Sequence, residues 1–345
     1  MLNPQVGPYR IVGELGRGAY GAVFEAVDAD GRPAAVKVLH ASRLLEPEVQ
    51  NRFVREIALL QRLDHPNIVA HYDCGLHEDS IYCAMELVQC GTLKDVLNAQ
   101  GALGWREAAE VVREVALGLD HAHRHGCVHR DLKPANLYLS ADGRVKIGDL
   151  GLARDLGAAR LTADGKTLGT WRYMAPEQIT GAAEIDGRLD LYALGCILFE
   201  MLVGRPPFEG LNFAEIFDQH LETPAPRIDA LGVRLPPPLA DLAEQLLAKR
   251  RDDRPRSARE VVERIDALLE APTTASGDSP HPPDKTPAAT SSADSGGAPR
   301  AAPPNLTQRL RATPDVAQSP SRGRVVAILA ALAVLALVLA SVLAG

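Results

Sequence analysis

The sequence predicts an α+β chain in which a small β-rich lobe precedes a helical lobe. Three observations carry this expectation. Short β-type runs separated by turn residues occupy much of residues 9–90. Stretches with helical spacing follow from residue 105 onward. Composition then shifts near residues 271 and 325, so a linker and an apolar segment follow the folded part.

Ile11–Leu15, Ala22–Val27 and Ala34–Leu39 read as strands, with turn residues such as Asp30-Gly31 between them. Residues 47–63 place Phe53, Ile57 and Leu60 at helical spacing. Residues 105–124 and 188–203 read as helices, and 239–269 as one or two more. Residues 271–324 are rich in Pro, Ala, Ser, Thr and Gly and hold no aromatic residue. Such a segment buries too little apolar surface to offset its ordering entropy and is expected to be a flexible linker. Val325–Ala344 then runs for 20 residues without charge or proline. At helical rise this covers about 30 Å, the thickness of a bilayer core, and predicts one transmembrane helix. A buried core helix is the alternative, and it fits poorly behind a disordered stretch. Arg322 and Arg324 precede the span, with Arg309 and Arg311 further back, so the positive-inside bias puts residues 1–324 in the cytoplasm. Only Gly345 follows, which suggests a tail anchor. Ala-rich helix faces leave a homodimer open, with no small-xxx-small pattern to decide it.

The 345 residues are 46% apolar, enough for a sizeable core, with a formal net charge of −7. No basic run of the kind that grips phosphate backbones is present, which argues against nucleic acid as the main partner. Cys74, Cys83, Cys90, Cys127 and Cys196 form no CxxC pair, so neither a zinc site nor a disulfide framework is indicated. Met1–Pro8 lacks the charged-then-apolar pattern of a signal peptide.

Five motifs carry chemistry. Gly16-Arg17-Gly18-Ala19-Tyr20-Gly21-Ala22-Val23 lies between two strands. Its glycines let backbone N–H groups approach anionic phosphate. A dinucleotide fingerprint needs a helix after the last glycine, whereas Ala22-Val23-Phe24 reads as a strand. Lys37 stands inside the apolar run Ala35–Val38 and needs a partner or an anionic ligand. Glu56 on the following helix is the natural counter-charge, with Glu48 as an alternative. His129-Arg130-Asp131-Leu132-Lys133-Pro134-Ala135-Asn136 gathers a proton acceptor, a cation and an amide oxygen suited to a hard metal ion. Asp149-Leu150-Gly151 follows the strand Val145–Ile147, and Asp at a strand end before glycine suits Mg²⁺. Ala175-Pro176-Glu177 is weak alone.

In this order and spacing the motifs resemble the signature set of protein kinases, over residues 9–270. Lys133, together with Gly169-Thr170 ahead of Tyr173–Glu177, resembles the serine/threonine type. The short domain, Pro-rich linker and apolar span resemble bacterial eukaryotic-like (Hanks-type) kinases. The resemblance implies a two-lobed kinase domain over 9–270, a linker over 271–324 and an anchor over 325–344. It implies ATP in the cleft under Gly16, Gly18 and Gly21, with Val23 and Ala35 on the adenine. Met85, Glu86 and Val88 would form the hinge, Met85 at its gate. Lys37 would pair the α/β-phosphates and be held by Glu56. Asp131 would be the catalytic base, with Lys133 beside the transferred phosphoryl. Asn136 and Asp149 would hold Mg²⁺, with Mn²⁺ as an alternative. Thr170 would shape the site of the substrate hydroxyl. Arg130 would receive a phosphate added to Thr162 or Thr167 by the enzyme itself. Glu177 with Arg254, and Asp190 under the catalytic loop, would be structural.

Three positions depart from the family pattern. Leu150 replaces the usual Phe, His71 replaces an aliphatic residue near Leu60, and Tyr138 stands where an aliphatic side chain floors the adenine. The complete catalytic set argues against a pseudokinase, and the Ala175–Glu177 motif argues against a small-molecule kinase.

Overall fold

A computed structural model describes residues 5–18, 21–40, 59–78, 80–150, 171–182, 185–271 and 304–312. Strands β1 (Gln5–Val6), β2 (Tyr9–Gly18), β3 (Gly21–Val27), β4 (Pro33–His40), β5 (His71–His77) and β6 (Ser80–Glu86) form one antiparallel sheet. Their order is β1-β2-β3-β4-β6-β5. The three strands expected from the β-type runs are β2, β3 and β4; β2 is longer by two residues at its start and three at its end, β3 by one residue and β4 by one at each end. Tyr9, Ile11, Ala26, Ala34, Val36, Tyr82 and Ala84 bury one small cluster of this sheet.

The helical lobe begins with α1 (Leu93–Gln100), which starts in a capping box between Thr92 and Asp95. α2 (Trp105–Arg124) matches the predicted range and buries Ala108, Val111, Val112, Val115, Leu119 and Ala122 at helical spacing. A short hairpin, β7 (Leu137–Leu139) and β8 (Val145–Ile147), carries the polar loops between α2 and α3 (Pro176–Ile179). α4 (Arg188–Val203) is buried nearly all round, from Leu189 to Leu202. α5 (Phe213–Glu222), α6 (Pro237–Leu246) and α7 (Ala258–Glu270) pack around it and α2. The expected helical stretch 239–269 is thus two helices, separated by a turn that holds Arg254.

Asn67 joins the lobes. Fully buried, it donates from Nδ2 to the Val145 carbonyl at 2.9 Å and to Glu114, while Ile147 N–H donates to its carbonyl at 2.8 Å.

Part of the expected flexible linker is ordered. Residues 305–312 form a capped helix, α8 (Leu306–Arg311), which packs on the helical lobe. Leu306 and Leu310 supply the apolar surface that the bulk composition of the stretch conceals. Among the described residues no helix is long and apolar enough to cross a membrane; Val325–Ala344 lies outside them.

Candidate active site

The loop from Cys127 to Asn136 leaves α2 and re-enters structure at β7. Its backbone is held from below. Arg130 has φ 66°, a left-handed conformation that costs a non-glycine residue about 1 kcal/mol. Asp190, at the start of α4 and fully buried, compensates. Its carboxylate accepts from His129 N at 2.9 Å and Arg130 N at 2.8 Å, and lies 2.8 Å from His123 Nε2. The helix Pro176–Ile179 adds a second hold, since Gln178 Nε2 donates to the Arg130 carbonyl at 2.8 Å.

His129 is 2% exposed and ties this loop to the strand ahead of Asp149. The Asp131 amide donates to Nδ1 at 3.2 Å, which leaves Nε2 to donate to the Gly148 carbonyl at 3.0 Å. Gly148 N–H in turn donates to the Asn136 carbonyl at 2.9 Å. Asp131 Oδ2 accepts from Lys133 Nζ at 2.8 Å, both side chains about one quarter exposed. Asn136 Nδ2 donates to the Asp131 carbonyl at 2.8 Å, so its Oδ1 is the free acceptor on the other side of the amide.

Asp149 also has a left-handed backbone, φ 55°. Its Oδ1 lies 2.5 Å from Lys37 Nζ, across the cleft from β4. Burial raises the Asp149 carboxyl, but the Lys37 ammonium outweighs it and holds the group below the ordinary carboxylate range. His129 and Lys133 add to the same effect. Within β4, Lys37 is opposite Val23 of β3 and Cys83 of β6. Glu56, its expected partner, lies outside the described residues, as do Thr162, Thr167 and Thr170.

Above Lys37, the β2–β3 hairpin pairs Gly16 with Val23 and Gly18 with Gly21. Strand thus follows strand, which excludes the strand-to-helix geometry of a dinucleotide site. Gly21 has φ 156°, and a Cβ there would lie 1.9 Å from the Val38 carbonyl oxygen, so only glycine lets the hairpin lie on β4.

At the back, Ala35 and Met85 are buried, and Val23 and Val88 pack against the main core. The Glu86 side chain accepts from Lys146 Nζ at 2.9 Å and Ala70 N at 3.2 Å. Cys90 N–H donates to the Leu139 carbonyl at 3.2 Å, and Leu139 N–H to the Gly91 carbonyl at 2.9 Å, so this connection is clamped to β7. Tyr138 fills space that Gly148 leaves open: a Cβ at 148 would lie 2.5 Å from its ring. Leu150 is 1% exposed and belongs to the main core. His71 is half-buried, and its Nδ1 meets no hydrogen-bond partner among the described residues.

Arg254 is buried and uses all five of its N–H donors. Two go to Glu177, at 2.6 and 2.9 Å. The others reach the carbonyls of Ala248, Lys249 and Arg188. Sequence reasoning missed Gln178, Glu200 and His123. Glu200 is buried, accepts from Tyr173 Oη at 2.5 Å and pairs with Lys94 at 3.2 Å. For Gln178 a signal was present, since it directly follows Ala175-Pro176-Glu177.

Comparison with known proteins matches these features. The protein kinase domain model covers residues 9–264. A probable serine/threonine-protein kinase PknB of Lactococcus lactis is 37% identical over 70% of this chain and 39% of its own. Serine/threonine-protein kinase PknJ of Mycobacterium tuberculosis is 43% identical over 64% of this chain and 38% of its own. For PrkC of Bacillus subtilis, also a serine/threonine-protein kinase, the identity is 35% over 70% and 38%. The chain spans about two fifths of the length of these relatives. With Asp131, Asn136, Asp149 and Lys37 gathered in one cleft between a β-rich and a helical lobe, the chain belongs to the protein kinase family, in its bacterial serine/threonine branch.

Proposed function

We propose that this chain transfers the γ-phosphoryl of ATP to serine and threonine hydroxyls of proteins, its own activation loop among them, while anchored to a membrane. The carrying observation is that Lys37, from the β-rich lobe, meets Asp149 beside Asp131, Lys133 and Asn136. The donor set fits a nucleotide with a hard divalent cation. Asn136 Oδ1 and an Asp149 carboxylate held anionic are oxygen ligands of the kind Mg²⁺ prefers, and Mn²⁺ would accept them. When bound, the cation neutralises charge on the phosphates. Lys37 then leaves Asp149 for the α/β-phosphates. Asp131 accepts the proton of the attacking hydroxyl, and Lys133, 2.8 Å from it, offsets charge on the group in transfer. Glu86 spends its side chain on Lys146 and Ala70, so the hinge meets the adenine through its main chain. Val23, Ala35 and the Tyr138 ring enclose the base.

Full-length chain and its Asp131→Asn variant, incubated with labelled ATP, Mg²⁺ and a generic protein acceptor, decide the activity. A loss of about 10³-fold in the variant is expected; equal labelling refutes the assignment. Mass spectrometry of the active chain is expected to find phosphate on Thr162 or Thr167; both unmodified sinks self-activation.

The anchor reading rests on the 20 uncharged residues Val325–Ala344 and on Arg322 and Arg324 before them, which keep the kinase domain cytoplasmic, at the inner membrane of a bacterium. Flotation with phospholipid vesicles is expected to carry the full chain and not a 325–344 deletion. Identical behaviour of the two removes the claim.

A further inference from the structure

The helix α8 has six residues, too few to hold together alone in water. Its order therefore comes from the surface beneath it. Leu306 and Leu310 sit one turn apart on one face, 7% and 1% exposed, and both belong to the main core of the helical lobe. Thr307 is 3% exposed.

Polar contacts fix the register at both ends. Asn305 caps the helix through Oδ1, which accepts from Gln308 N at 2.9 Å. Its Nδ2 reaches outward and donates to the Ala141 carbonyl at 3.1 Å, in the β7–β8 turn. In that turn Gly143 has φ 90°, and a Cβ there would lie 2.7 Å from the Asn305 side chain. Only glycine both adopts the turn and leaves room for the cap. At the other end, Gln100, the last residue of α1, donates from Nε2 to the Leu310 carbonyl, one of the carbonyls a helix leaves without an internal partner. Between the ends, Arg309 pairs with Glu110 on α2.

Three separate elements, α1, α2 and the β7–β8 turn, thus each give one polar partner to a helix whose leucines enter the core. Apolar collapse alone would bury the leucines without also placing the cap amide, the C-terminal carbonyl and the Arg309 NH2 group on partners, although Thr307 Oγ1, Arg309 Nε and Arg311 Nε meet none among the described residues. We propose that this face is a peptide-docking site for a short capped helix with the pattern Asn-Leu-x-x-Arg-Leu, and that Asn305–Arg311 of the same chain occupies it in cis. The intervening 272–303 is 32 residues, an extended reach of about 110 Å, so cis occupation requires no stretching. The site takes no residue from the catalytic cleft.

A fluorescent peptide with the sequence of residues 303–313 tests this by anisotropy against two full-length chains in detergent. In the wild type its own segment holds the site. In Leu306→Asp/Leu310→Asp two buried charges expel that segment and leave the lobe intact, which an unchanged melting profile of the kinase domain checks. The peptide is expected to bind the double variant at least about 10-fold more tightly than wild type. Adding Glu110→Arg to that variant should weaken the peptide, and an Arg309→Glu peptide should recover the loss. Equal binding to both chains, or binding to neither, overturns the proposal. So does amide hydrogen exchange on the wild type that finds residues 306–311 unprotected.

Discussion

Two aspartates of the cleft live under opposite conditions. Asp190 is wholly buried, and two backbone amides and one histidine meet its carboxylate. Asp149 is about one third exposed and meets a single ammonium from the other lobe. Both hold a loop in place, but with different permanence. A buried carboxylate with every oxygen engaged cannot let go without leaving uncompensated charge. A cleft carboxylate on a lysine exchanges partners at little cost, because water and incoming ligands replace what it gives up. The helical lobe fixes where Asp131 and Asn136 stand, while the ion pair spanning the lobes is the part free to open.

This contrast can be broken in measurable ways. The largest effect is expected from Arg254→Ala, which strands Glu177 and removes five hydrogen bonds. A loss of about 3–5 kcal/mol is expected, lowering Tm by on the order of 10 °C. Calorimetry showing a shift of a degree or less would put Arg254 outside the scaffold. Lys37→Met belongs to the other class. Phosphoryl transfer should fall about 100-fold with Tm almost unmoved. If both fall together, the cross-cleft pair is structural and the contrast fails.

Asp190→Asn keeps the shape, but its single amide oxygen can accept from only one of the His129 and Arg130 N–H groups, and its NH2 faces the other donor. About 2 kcal/mol of stability should go, and kcat should drop while KM for ATP holds, because the loop and not the nucleotide site is loosened.

The smallest effect is acidic. Burial first, then the Lys249 ammonium, bring the His220 ring from 6.5 to about 3. Below 6.5 the unfolded chain takes up this proton and the folded chain refuses it until about 3. Stability from this group is therefore complete above 6.5 and lost as pH falls toward 3. Relative to the wild type, His220→Phe should lose about 2 kcal/mol less between pH 7 and pH 5, read by urea melts at each pH.

The parts of the site legible in sequence are those whose residues are neighbours in the chain. Asp131, Lys133 and Asn136 come within one loop, and the apolar run Ala34–Leu39 marks the strand that presents Lys37. The one-sided apolar pattern of Trp105–Arg124 makes its bounds readable. α4 was found for a different reason: it is apolar on every side, so its length rather than its periodicity marks it. What stayed hidden are contacts between distant residues of ordinary type. The motif before Gln178 marks its place but not its partner, the Arg130 carbonyl, and nothing near Glu200 says that Tyr173 and Lys94 meet there. The docked helix was hidden by averaging. Two leucines and an asparagine cap inside 54 residues of Pro, Ala, Ser and Thr do not move the composition, yet they suffice once a complementary surface exists.

Seating that helix also sets the length of a leash. From Ala271 to Val325 the chain can extend about 190 Å, but from Ala312 only about 45 Å. If the apolar run is held in a bilayer, the docked kinase domain works within a shell about one domain thick above it. Releasing six residues would open a hemisphere about four times wider in radius. Which proteins the active site meets would then depend on altitude, not on any change in the cleft.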